Sequence, residues 1–160
     1  METEIEKKVD LTELLQLVSF KIGEEEFGVD ILKVQEINRM LEITKVPNAP
    51  SFVEGVVNLR GRIITVVDLR SRLDMPRVDH NAKTRIVVVD LGSRTVGFIV
   101  DEVSEVLRIP RDITEPPPPM VANVDTDYIT AVGKLEDRLL ILLDLDKIFS
   151  FDEESILETV

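Results

Sequence analysis

The chain has 160 residues, 44% apolar and 31% charged, enough for one domain of two small lobes and too apolar to stay disordered. A formal net charge of −12 argues against nucleic acid and anionic membrane surfaces, both of which call for clustered Lys and Arg. With no cysteine, disulfides, thiolate catalysis and zinc–sulfur sites are excluded, and Leu139–Leu143, the longest Leu/Ile run, is too short to insert in a bilayer.

Met1–Asp10 carries four carboxylates against two lysines, the reverse of a secretory signal, and reads as the solvated tail of a cytoplasmic protein. Asp10 and Glu13 form a capping pair for a short helix over Leu11–Leu15, so residues 1–15 are tail and helix. From Leu17 the pattern turns to strands. Leu17–Ile22 and Phe27–Val29 flank a polar tip, Gly23-Glu24-Glu25-Glu26. Along Val34–Ile43 the alternation turns Ile37, Leu41 and Ile43 inward and leaves Val34, Glu36, Asn38 and Met40 outside. A second hairpin, Gly55–Leu59 and Ile63–Leu69, turns at Arg60-Gly61.

The chain then repeats itself. An offset of 69 carries Val18, Gly23, Gly28, Val34 and Glu36 onto Val87, Gly92, Gly97, Val103 and Glu105. Farther on, an offset of 76 carries Leu59, Arg62, Asp68 and Leu69 onto Leu135, Arg138, Asp144 and Leu145. Gly23 and Gly92 sit where a turn needs positive φ, and Gly28 and Gly97 inside a strand, where glycine marks a bulge or the close approach of another backbone. The polar stretch Asp74–Lys83 joins the copies, and Pro116–Pro119 reads as a stiff spacer inside the second rather than an SH3 or WW ligand. The prediction is a mainly β fold built by internal duplication, a small barrel or sandwich in each copy. Residues 16–79 form the first subdomain, 80–150 the second, and 151–160 a short terminal helix.

Signs of catalysis are weak. His80, the only histidine, lies in the polar join and reads as a surface residue. No Gly-x-Ser-x-Gly elbow and no phosphate-cradling glycine loop is present. Asp68 and Asp144 stand at matching strand ends, as a carboxylate pair or, by the favoured reading, as caps of the turns that follow. Glu24-Glu25-Glu26 point in different directions and make a poor metal cage. No catalytic residue, metal or cofactor is expected. Val34 and Met40 beside Glu36 and Asn38 make a docking strand, unless the second lobe covers it. Arg60, presented on a tight turn and matched by Glu136 in the echo, is a candidate interface anchor.

Three segments resemble the bacterial chemotaxis coupling proteins of the CheW family. They are Phe27-Gly28-Val29-Asp30-Ile31-Leu32-Lys33-Val34-Gln35-Glu36-Ile37, Gly55-Val56-Val57-Asn58-Leu59-Arg60-Gly61, and Ile64-Thr65-Val66-Val67-Asp68-Leu69-Arg70. The echo Val96–Asp101 with Val103–Leu107 is similar to the family's second half, and the likeness runs from about Leu17 to Phe149. The resemblance implies two SH3-like five-stranded β-barrels around a shared core. It also implies a non-enzymatic, cytoplasmic adaptor joining the tips of transmembrane chemoreceptors to the regulatory domain of the histidine kinase CheA. By motif position, Val34, Glu36 and Gly55 would face the kinase, and Arg60, Val29, Val100 and Val103 the receptor. A kinase regulatory domain, or a CheV-type adaptor without its receiver domain, is the alternative, and a carboxylate hydrolase a remote one. The initiating Met1 and short tail favour the free adaptor.

Overall fold

Runs such as Ile86-Val87-Val88-Val89, apolar at every position, require strands with both faces buried. The computed structural model, which describes residues 14–117 and 128–149, shows two cores that take alternate residues of each such run. Its strands are β1 (Leu14–Ile22), β2 (Glu25–Asp30), β3 (Val34–Arg39), β4 (Val53–Leu59), β5 (Arg62–Asp68), β6 (Arg85–Asp90), β7 (Thr95–Val100), β8 (Glu102–Pro110), β9 (Thr114–Glu115), β10 (Ile129–Lys134) and β11 (Leu139–Leu143). One-turn helices α1 (Leu69–Arg72) and α2 (Leu145–Ile148) follow β5 and β11, and a 3-10 turn, Ile31–Lys33, links β2 to β3. The fold is mainly β, as predicted.

Two sheets result, in the orders β8-β1-β2-β11-β10-β9 and β3-β6-β7-β5-β4. Each draws strands from both copies of the repeat. The hairpin β1–β2 joins β8–β11 through the parallel pair β2–β11, and the hairpin β6–β7 joins β3–β5 through the parallel pair β5–β7. The repeat divides the sequence near residue 80, whereas the sheets divide space by exchanging one hairpin each.

A shared core lies between the sheets, built from Phe20, Phe27 and Val29 of the first and Val87, Val89, Phe98 and Val100 of the second. Phe20 meets Phe98 across it at 5.6 Å between ring centroids. Each sheet also wraps its own smaller core: Val57, Ile64, Val66, Ile86, Val88 and Ile99 in one, Leu17, Ile109, Leu140 and Leu142 in the other. Each such aliphatic or aromatic side chain stabilises the fold by about 1.5–3 kcal/mol.

Several local expectations hold. Gly23 and Gly92 have φ of 62° and 89°. A Cβ on Gly97 would stand 2.9 Å from Ile86 Cγ2, so the close neighbour is a side chain and not the second backbone or bulge expected there. Asp68 and Asp144 are N-caps: Asp68 accepts from the Arg70 amide, Asp144 from those of Asp146 and Lys147.

Other expectations need correction. Leu14 and Leu15 are strand, not helix, because they pair with Pro110 and Ile109 on β8. Glu26 is not part of an exposed tip. It is buried, and its Oε1 accepts from Arg138 Nε at 2.8 Å. The largest correction concerns Val34–Ile43, β3 and the residues after it. There Ile37 and Leu41 are exposed and, of the three expected inward, only Ile43 turns toward a core, while Val34, Glu36, Asn38 and Met40 are half-buried. Register explains it. Glu36 and Asn38 pair with Val88 and Ile86 and so share the inner face of their sheet, while Ile37 pairs with Val87 on the shared-core face. At the sheet edge that face extends past its cover, and Ile37 stays 40% exposed. The tail and the first residues of the helix expected over Leu11–Leu15, up to residue 13, the terminal helix expected for 151–160, and Pro118–Pro119 lie outside the described residues.

Candidate docking surface

β3 and β4 are opposite edges of one sheet, yet the sheet curls until they are bridged. Thr44, five residues past the end of β3, exchanges backbone hydrogen bonds with Val56 of β4 at 2.9 and 2.8 Å. Gly55 permits this contact. Its φ is 150°, and a Cβ there would stand 2.2 Å from the Thr44 carbonyl oxygen. Gly55, predicted to face the kinase, is buried beneath that crossing.

Across the same mouth Arg60 meets Glu36. Arg60 and Gly61 both have positive φ, 53° and 85°, the two-residue hairpin turn that best matches strand twist. The Asn58 side chain accepts from the Gly61 amide at 2.8 Å and fixes the turn. Arg60 Nη2 donates to Glu36 Oε2, and Asn38 Nδ2 donates to Glu36 Oε1 at 2.7 Å. The bonds from Arg60 and then Asn38 hold the Glu36 carboxyl below its ordinary range. Arg60 remains 70% exposed, so a partner can reach the guanidinium while one of its amino groups is held. Two residues assigned by motif to different surfaces are therefore in contact.

The remaining predicted residues separate by burial. Val29 and Val100 are 0% and 1% exposed, deep in the shared core. Val103 and its repeat counterpart Val34 are half-buried at the rim of that core. Sequence reasoning missed Ile63, 68% exposed beside the Arg60 turn, and its repeat counterpart Leu139, 61% exposed. Their matching places at offset 76 were the available signal.

The strongest place for chemistry is a cavity of about 270 Å³ lined by Asp68, Arg70, Asp79, His80, Thr84 and Asp101. Two of its three carboxylates are committed. Asp68 caps α1 and accepts from Ser71 Oγ at 3.2 Å, and Asp101 is held by Arg70 and the Gly23 amide. No cluster of His, Asp or Glu among the described residues could hold a metal. No described helix is long and apolar enough to cross a membrane.

A duplicated β fold of two packed sheets that displays a charged pair and isolated aliphatic side chains is an interaction module. The chain belongs to the CheW-like family of chemotaxis scaffold proteins, whose domain model matches residues 16–153. It is 39% identical over 145 residues to the chemotaxis protein CheW of Klebsiella aerogenes, covering 91% of this chain and 87% of that one. To the chemotaxis protein CheW of Helicobacter pylori it is 34% identical over 146 residues, covering 91% and 88%. The crystal structure of the scaffolding protein TtCheW from Thermoanaerobacter tengcongensis superposes with a TM-score of 0.79 at 37% identity, covering 87% of this chain and 94% of that one.

Proposed function

We infer that this chain is a coupling adaptor that holds the regulatory domain of the histidine kinase CheA beside the cytoplasmic tip of a chemoreceptor. It works in the cytoplasm, is recruited to receptor arrays, and catalyses nothing. It needs no cofactor, binds no nucleic acid and does not enter the membrane.

The observation that carries this reading is the Arg60–Glu36 pair, a partly exposed charge pair on rigid backbone within a family of scaffolds. Arginine fixed on a turn keeps its remaining donors for a partner carboxylate or carbonyl at little entropic cost. In the proposed division Val34 and Glu36 face the kinase, and Arg60 and Val103 the receptor, with the ion pair on the border. Gly55 acts by seating Thr44, and Val29 and Val100 by supporting the rim from inside. The reading is tested by mixing the chain with a CheA regulatory domain and a receptor cytoplasmic fragment, then measuring complexes by analytical ultracentrifugation. A ternary complex is the expected result. A folded chain that binds neither overturns it.

A further inference from the structure

The chain crosses between the sheets at two repeat-related corners, and each corner is tied by an ion pair. The first corner, Ile31–Lys33, carries the chain from β2 of one sheet to β3 of the other. There Lys33 Nζ donates to Asp146 Oδ2 at 2.9 Å, and Asp146 lies on α2, which follows β11 of the sheet being left. The second corner is Asp101, between β7 and β8. It is held by Arg70 of α1, which follows β5, again of the sheet being left.

Parallel pairing produces this equivalence. β5 runs beside β7 with Asp68 opposite Ile99, so the next turn places Arg70 against Asp101. β11 runs beside β2 with Leu142 opposite Gly28, and the next turn places Asp146 beside the Leu32–Lys33 corner. The offset of 76 carries Arg70 onto Asp146, so the helix side of the latch has kept its place with its charge inverted, while the offset of 69 carries Leu32 rather than Lys33 onto Asp101, so the corner partner has moved by one residue.

The two latches differ in construction. Arg70 grips Asp101 with two bonds, Nε to Oδ1 at 3.0 Å and Nη2 to Oδ2 at 2.6 Å, and its Nη1 donates to the Pro76 carbonyl at 2.9 Å. The Gly23 amide donates to Asp101 Oδ2 at 2.7 Å, which ties the corner to the sheet it enters as well. The side chains are 12% and 28% exposed. Lys33 makes one bond to Asp146, and these side chains are 33% and 56% exposed. A forked, desolvated arginine pair is a strong contact, and a single exposed lysine pair is a weak one that salt screens.

We propose that Arg70–Asp101 is a closed latch and Lys33–Asp146 a releasable one, so that local opening occurs at the Lys33 corner in preference to the Asp101 corner. Lys33 immediately precedes β3, so release loosens the corner that leads into the strand carrying Val34 and Glu36. The device converts a duplicated, nearly symmetric frame into one with a fixed side and a yielding side.

Hydrogen exchange of the full chain, read by mass spectrometry, tests this without any partner. In the wild type, amides at the Lys33 corner and in α2 exchange faster than those at the Asp101 corner and in α1. Lys33→Met speeds exchange about two- to fivefold at the Lys33 corner and in α2, and nowhere else. Lys33→Arg, which keeps the cation beside Asp146, leaves it near the wild-type rate. Equal protection of the two corners in the wild type, no change in Lys33→Met, or a Lys33→Arg variant as fast as Lys33→Met each overturns the proposal.

Discussion

Arg60, on the turn between β4 and β5, donates to Glu36 on β3, from the opposite edge of the same sheet. A substitution at either residue therefore changes the surface the other presents. Glu36→Lys places two cations together and should weaken kinase binding by at least ~2 kcal/mol, on the order of 30-fold. Arg60→Ala should weaken receptor binding most, and kinase binding measurably, because Glu36 loses its partner. Calorimetric titration of the single and double variants should show strong non-additivity. Additive losses, each confined to one partner, would show that the pair is not shared between the two faces.

Arg60→Ala should leave the fold nearly untouched, within about half a kcal/mol, because the side chain is 70% exposed. Urea unfolding is the check, and an unchanged midpoint assigns the binding loss to the surface.

Gly55→Ala should behave in the opposite way. Its Cβ would collide with the Thr44 carbonyl, and its φ of 150° is strained for any L side chain. The expected cost is at least about 2 kcal/mol, with the Thr44–Val56 bridge lost first. A variant that melts like the wild type would return Gly55 to the category of surface contact.

Ile37→Ser should cost less than about 1 kcal/mol, whereas Ile86→Ala on the neighbouring strand should cost about 2–5 kcal/mol. The contrast rests on burial, 40% exposed against 1%. If Ile37→Ser unfolds the protein, the register of β3 is wrong by one residue. If it is stable and binds partners more weakly, Ile37 belongs to the docking surface.

Acid should act partly through Asp101. Burial alone would raise its carboxyl, but the hydrogen bonds from Arg70 and Gly23 and the arginine's charge outweigh burial and lower it. A carboxylate lowered in the folded state contributes stability that is complete above the unfolded value, about pH 3.9, and is lost as pH falls through the folded value. Asp101→Asn should therefore be less stable than the wild type at pH 7, with the gap closing below about pH 4. A constant gap in urea midpoints from pH 7 to pH 3 would show that Asp101 acts through packing alone.

The sequence by itself determined the local grammar. Gly23 and Gly92 are in the only backbone region that suits their turns, and Asp68 and Asp144 cap where a strand end meets a short helix. The repeat was legible because duplicated glycines and apolar runs keep their spacing, and the family resemblance because Gly55–Gly61 and its neighbours keep theirs. Tertiary structure alone decided which face of β3 is covered, since alternation defines two faces but only the pairing with β6 says which core each face meets. It also decided the exchange of hairpins through the parallel pairs β2–β11 and β5–β7, because parallel contacts join residues far apart in sequence and leave no local pattern. Burial of Val29 and Val100 and the meeting of Arg60 with Glu36 follow from that exchange and from the curl of one sheet. Both are long-range consequences of packing, which residue identity and spacing do not encode one segment at a time.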